Sequence, residues 1–126
     1  MEIQWFTRAN QGIATIYDTN ITLNTIAANH FKTAYATLIG YDEKQKVLVI
    51  KAIKKEELAM GLYSESETHP ISIKPSYGRI NGKNIIRNLM MRFPLDFAKR
   101  SFYKFPCEWD QEEKLLRVFL EKEVRS

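Results

Sequence analysis

A pattern of strand, short helix and hairpin runs through the first half of this chain and returns in the second half at fixed offsets. Shifting the sequence by 59 places Ile21 on Ile80, Thr25 on Asn84, Ile26 on Ile85, Asn29 on Asn88 and Phe31 on Met90. Shifting it by 68 places Asp42 on Asp110, Lys46 on Lys114, Val47 on Leu115, Leu48 on Leu116 and Ile50 on Val118. A nine-residue insertion near Arg92 to Arg100 accounts for the change of offset. Each unit is too small to bury its own apolar face, and a tandem copy supplies the missing partner. The expected architecture is therefore α+β and mainly β: two tandem strand-helix-hairpin repeats packed as a pseudo-two-fold single domain over residues 1–126. Repeat one covers about 12–54, a linker about 55–70, and repeat two about 71–122.

Within repeat one, Ile13, Thr15 and Tyr17 alternate with Ala14 and Ile16, as a strand with two different faces requires. Asp18-Thr19-Asn20 turns the chain, Ile21 to Leu23 is a short β-branched run, and Asn24 or Thr25 is placed to cap a helix from Ile26 to about Thr33. Tyr35 to Tyr41 and Val47 to Ile53 flank a polar turn and predict a hairpin. In repeat two, Ile71 to Ile73 alternates again and Pro75 to Gly78 turns. A short run starts at Ile80, and Asn84 to Met91 has helical apolar spacing. Ser101 to Trp109 and Leu115 to Leu120 flank Asp110 to Lys114 as the second hairpin.

Net charge is only +4, but it is unevenly distributed. From Ser72 to Lys104 there are eight basic residues and one acid, Asp96, a local balance of +7 against −3 for the remainder. An asymmetry of this kind points to a polyanionic partner for that segment. Aromatic residues Tyr77, Phe93, Phe97, Phe102, Tyr103 and Phe105 interleave with these charges. Alternation turns Tyr103 and Phe105 to one face and Phe102 and Lys104 to the other, so most of the set is expected in the core.

Several function classes lack their residues. No apolar run of about 18 residues could span a bilayer, and Met1 to Asn10 carries Glu2 and Arg8 around Trp5 and Phe6 where a signal peptide would be apolar. The lone Cys107 forms no internal disulfide and has no neighbours at metal-ligand spacing, so it is expected as a buried small hydrophobe in a reducing, cytoplasmic setting. His30, expected on the apolar face of a short helix, and His69, in a loop before Pro70, have no sequence-local partner for acid-base chemistry. Gly78 to Gly82 lacks the spacing of a nucleotide cradle. The expectation is a non-enzymatic chain with no metal, no cofactor and no membrane contact.

Gly78-Arg79-Ile80, followed by a short helix and a hairpin, resembles the swapped-hairpin DNA-binding fold of AbrB-like regulators, and two tandem copies resemble the MraZ type within it. The resemblance spans about Ile13 to Ile53 and Ile71 to Leu120. It implies a DNA-binding homo-oligomer that contacts DNA near the Gly-Arg strand. The second copy keeps Gly78 and Arg79 but has Lys83 near the Pro of that pattern; the first has Thr19, Asn20 and Asn24 at the three positions. Arg79, Lys83 and Arg87, flanked by Lys74 and Arg92, are the candidate phosphate contacts, because cationic side chains supply most non-specific affinity for a duplex. Asn81, Asn84 and Asn88 are candidates for base edges, and Asn84 equally for a helix cap. The alternative is a protein-interaction or small-ligand module of the same duplicated fold without DNA contact, which an apolar pocket between the two halves, with Arg79 buried in an ion pair, would favour.

Overall fold

The computed structural model describes residues 11–124. In chain order its elements are β1 (Gly12–Tyr17), β2 (Asn20–Asn24), α1 (Thr25–Ala28), β3 (Ala36–Asp42), β4 (Val47–Ile53), α2 (Lys55–Ala59), β5 (Ser72–Ile73), β6 (Tyr77–Asn81), α3 (Lys83–Met90), β7 (Phe102–Asp110) and β8 (Leu115–Phe119). The molecule is mainly β, with one curled antiparallel sheet of eight strands and few helices. Trp5 and Phe6 lie outside the described residues.

The spatial order of the strands is β3-β4-β8-β7-β1-β2-β6-β5. Ladder β2·β6 sets Ile21 opposite Ile80, and ladder β4·β8 sets Val49 opposite Arg117. Curling brings the two ends of the sheet together. Thr37 on β3 and His69, just ahead of β5, exchange both backbone bonds at 2.8 Å, and the Thr37 hydroxyl also donates to the His69 carbonyl at 2.9 Å.

The core is the inward face of this alternation. Ala14 and Ile16, Ile21 and Leu23, Ile50, Ile80, Phe105, Leu116 and Val118 are buried together, with Ala27, Ala28 and Phe31 from the α1 segment and Ile85, Ile86 and Leu89 from α3. Asn24 Oδ1 accepts from the Ala27 amide at 3.1 Å as the cap of α1 and from the Ile13 amide at 3.0 Å, while its Nδ2 donates to the Gln11 carbonyl at 2.8 Å. One side chain thus ties the helix start to β1.

Both hairpin turns use the same chemistry. Asp42 Oδ1 accepts from the amides of Lys44 and Gln45 at 3.0 and 3.1 Å, and Asp110 Oδ1 accepts from those of Glu112 and Glu113 at 3.0 Å each. Lys46 and Lys114 close the two turns in the left-handed region, each with φ 57°. An aspartate bonding to amides two and three residues ahead makes a tight turn without the Asn-Gly pair.

Three details depart from the sequence reading. The helix expected to reach Thr33 ends at Ala28 and passes into a 3-10 turn over Asn29–Phe31. Strand β6 begins at Tyr77, so Pro75 to Gly78 is only partly a turn. His30 is exposed rather than set on an apolar face, and its ring stacks on Trp109 at 4.7 Å.

Candidate nucleic-acid interface

Strand alternation decides where the Gly78-Arg79 pair points. Gly78 and Ile80 are buried, while Tyr77 is half-buried and Arg79 and Asn81 are exposed. A Cβ at Gly78 would stand 3.0 Å from Ile73 Cδ1 and 3.1 Å from Ala28 Cβ. Glycine at 78 lets α1 and β5 close onto β6, and that packing turns the next side chain outward. The Arg79 guanidinium lies 5.1 Å from the centre of the Tyr77 ring, which braces it by a cation–π contact. Lys74 is exposed in the β5–β6 turn, its amide bonded to the Tyr77 carbonyl at 2.8 Å.

The sheet extends this surface sideways. Strand register sets Lys104 opposite Thr15, Thr15 opposite Thr22, Thr22 opposite Arg79, and Arg79 opposite Ser72. These five side chains form one row on the outer face, with Arg79 and Lys104 about 14 Å apart at the usual interstrand spacing. In the neighbouring row Tyr17 meets Phe102 with ring centres 5.8 Å apart, and Lys104 Nζ stands 5.6 Å over Phe102. No carboxylate belongs to β1, β2, β5 or β6, and those of β7 lie at its far end, at Glu108 and Asp110. Lys104 was absent from the sequence-derived set. Its place in the row depends on the pairing of β7 with β1 across most of the chain, and alternation in sequence had set it only on the face opposite Tyr103.

The remaining candidates fall in two places. Lys83 and Arg87 are exposed and one turn apart on α3, on the side away from the buried Ile85, Ile86 and Leu89. Arg92 follows the helix and lines a cleft beside β3, its Nη1 donating to the Asn88 carbonyl at 2.8 Å. The five residues therefore form a pair on the sheet, Lys74 and Arg79, a pair on the helix, Lys83 and Arg87, and Arg92 apart from both. Among the described residues none of them has a carboxylate within ion-pair distance; the two ion pairs present are Arg100 with Glu123 and Arg117 with Asp110. Arg79 is thus exposed and outside any ion pair among the described residues, whereas a buried ion pair there would have favoured the alternative reading. Asn81 stays exposed at the end of β6, whereas Asn84 and Asn88 line the same cleft as Arg92. The N-cap of α3 is Gly82, not Asn84.

Other chemistry finds little support in the geometry. Tyr103 and Phe105 are buried, Phe93 and Phe97 half-buried against them, and Phe102 is the exposed exception. The Cys107 thiol is buried, and burial pushes its pKa up to about 12, so it holds no thiolate at neutral pH. Partial desolvation, at His30 under the stacked Trp109 ring though the residue is largely exposed, lowers the pKa of both His30 and His69. Among the described residues no three His, Cys, Asp or Glu side chains gather as a metal site, and no helix is long and apolar enough to cross a membrane.

Fold and face together define a small curled antiparallel sheet with a basic outer wall. Comparison with family models, with curated proteins and with solved structures finds no match to this chain.

Proposed function

We propose that this chain is a DNA-binding transcriptional regulator related to the AbrB-like swapped-hairpin proteins, and that duplex phosphates meet the outer wall centred on Arg79. The observation that supports the reading is an exposed arginine with no carboxylate partner among the described residues, in a row with Lys104, beside Lys74, with no acid on β1, β2, β5 or β6 and those of β7 at its far end. Lys83 and Arg87, which follow β6 on α3, extend the contact, and Asn81 at the strand end is placed for a base edge. A cytoplasmic setting and self-association belong to the same proposal. Exposed Met60, Leu62 and Met91 offer apolar surface for the latter.

The duplication is part of this reading. Ladder β2·β6 has Ile21 opposite Ile80, residues 59 apart, and ladder β4·β8 has Val49 opposite Arg117, residues 68 apart. These are the two offsets that align the repeats in sequence. Antiparallel ladders centred on equivalent residues are what a two-fold axis through both ladders would produce. The twin aspartate turns add to the case.

Binding to random-sequence duplex, titrated across salt concentration, tests the proposal. Each phosphate contact contributes roughly 0.9 to the slope of log affinity against log salt, so Arg79→Ala with Arg87→Ala should lower the slope by about 2 and weaken binding to all sequences alike. No binding at low salt, or an unchanged slope in the double variant, would remove the basis for the reading.

A further inference from the structure

The two places where one repeat's hairpin adjoins the other's first strand are not alike. At one, β1 and β7 pair along their length, from Gly12 opposite Cys107 to Tyr17 opposite Phe102. At the other, β3 and the segment leading into β5 meet only at Thr37 and His69. Beyond that bridge β3 runs on unpaired on this side, and α3 lies across the gap. The result is a half-open cleft of about 330 Å³, a size suited to a ring with a short side chain.

The lining is divided by polarity. Ile39, Leu48, Ile85 and Leu89 provide an apolar floor. Asn84, Asn88 and Arg92, spaced four apart, form a polar edge along α3, with His69 among the lining residues. No lining side chain is a carboxylate, and Arg92 is the fixed positive charge. One guanidinium nitrogen is anchored to the Asn88 carbonyl, which orients the rest of the fork. The Tyr41 hydroxyl is buried in the same wall without a hydrogen-bond partner among the described residues, an arrangement that costs stability unless something satisfies it.

We propose that this cleft is a binding site for a small organic acid, with its apolar body on the floor and its carboxylate held by Arg92 and the adjacent amides. The charge of the lining selects an anion, and the floor selects an apolar body over a sugar or free phosphate. The site is separate from the Arg79 wall, and the inference does not depend on DNA binding.

Calorimetric and NMR titrations with 3-phenylpropionate and its uncharged amide, 3-phenylpropanamide, test it on the whole chain. The acid should bind one to one and about tenfold more tightly than the amide, shifting the Asn84 and Asn88 side-chain signals. Arg92→Gln should make acid and amide nearly equal, and Asn88→Trp, on the exposed edge of α3, should abolish binding of both, with circular dichroism confirming that each variant folds. The proposal is overturned if the acid does not bind, if acid and amide bind equally to the unmodified chain, if Arg92→Gln keeps the preference, or if the shifted signals centre on β6.

Discussion

Asp110 does two jobs. One carboxylate oxygen accepts the amides of the hairpin turn, and the other accepts from Arg117 at 2.8 Å. The Glu113 amide first, and then Arg117, hold its carboxyl below the ordinary carboxylate range. A depressed folded value contributes stability above the unfolded value, near 4, that is lost as pH falls through the folded value. Urea midpoints measured from neutral to acid pH should therefore fall less steeply below about pH 4 in Asp110→Asn than in the unmodified chain. Parallel acid limbs would show that the turn does not depend on this charge. At this scale the sequence was informative where alternation separated Tyr103 and Phe105 from Phe102 and Lys104, and where Cys107 was expected as a buried small hydrophobe; the outward direction of Arg79 follows only from the pairing of β6. It misplaced His30, because a helix ending a turn early rotates that ring out to stack on Trp109, a residue far along the chain.

Short helices need external support, since four or five residues cannot stabilise themselves in water. Helix α1 obtains it from Asn24, which caps the helix and also holds the Ile13 and Gln11 backbone of β1. Asn24→Ala should destabilise the fold by about 1–2 kcal/mol, measured by urea unfolding, because three bonds are lost and the Ile13 and Ala27 amides both lose their acceptor. A change within a few tenths of a kcal/mol would mean that burial of Ala27, Ala28 and Phe31 alone holds the segment. The cap was readable as Asn24 or Thr25, since both types suit the position. On α3 the same logic left Asn84 open between a cap and a base contact, but the chain caps that helix at Gly82 and Asn84 lines the cleft. Cap residues and polar surface residues are the same types, and only the preceding backbone distinguishes them. The aspartate turns were visible as polar runs, yet their left-handed closure at Lys46 and Lys114 was not, because lysine carries no signal for positive φ.

The order of strands around the molecule lay beyond the reach of local pattern. Similar segments could be matched by offset in the sequence, but which strands become neighbours depends on long-range burial, and β7 beside β1 is the consequence that brings Lys104 into line with Arg79. The cleft is equally remote from sequence, since it exists only because one seam pairs fully and its counterpart meets at a single bridge. The charge run from Ser72 to Lys104 was a one-dimensional signal that folding divides. Part of it faces outward from the sheet, part lies on α3, Arg92 turns to the cleft, and Arg100 is neutralised by Glu123. The central claim is that the wall built by β7, β1, β2, β6 and β5 meets duplex phosphates. An NMR titration of the labelled chain with a short random-sequence duplex at low salt would locate the contact directly. The account predicts shifts concentrated at Thr15, Thr22, Tyr77 to Asn81 and Lys83 to Arg87; shifts centred on the β3–β4–β8 wall, or none, would contradict it.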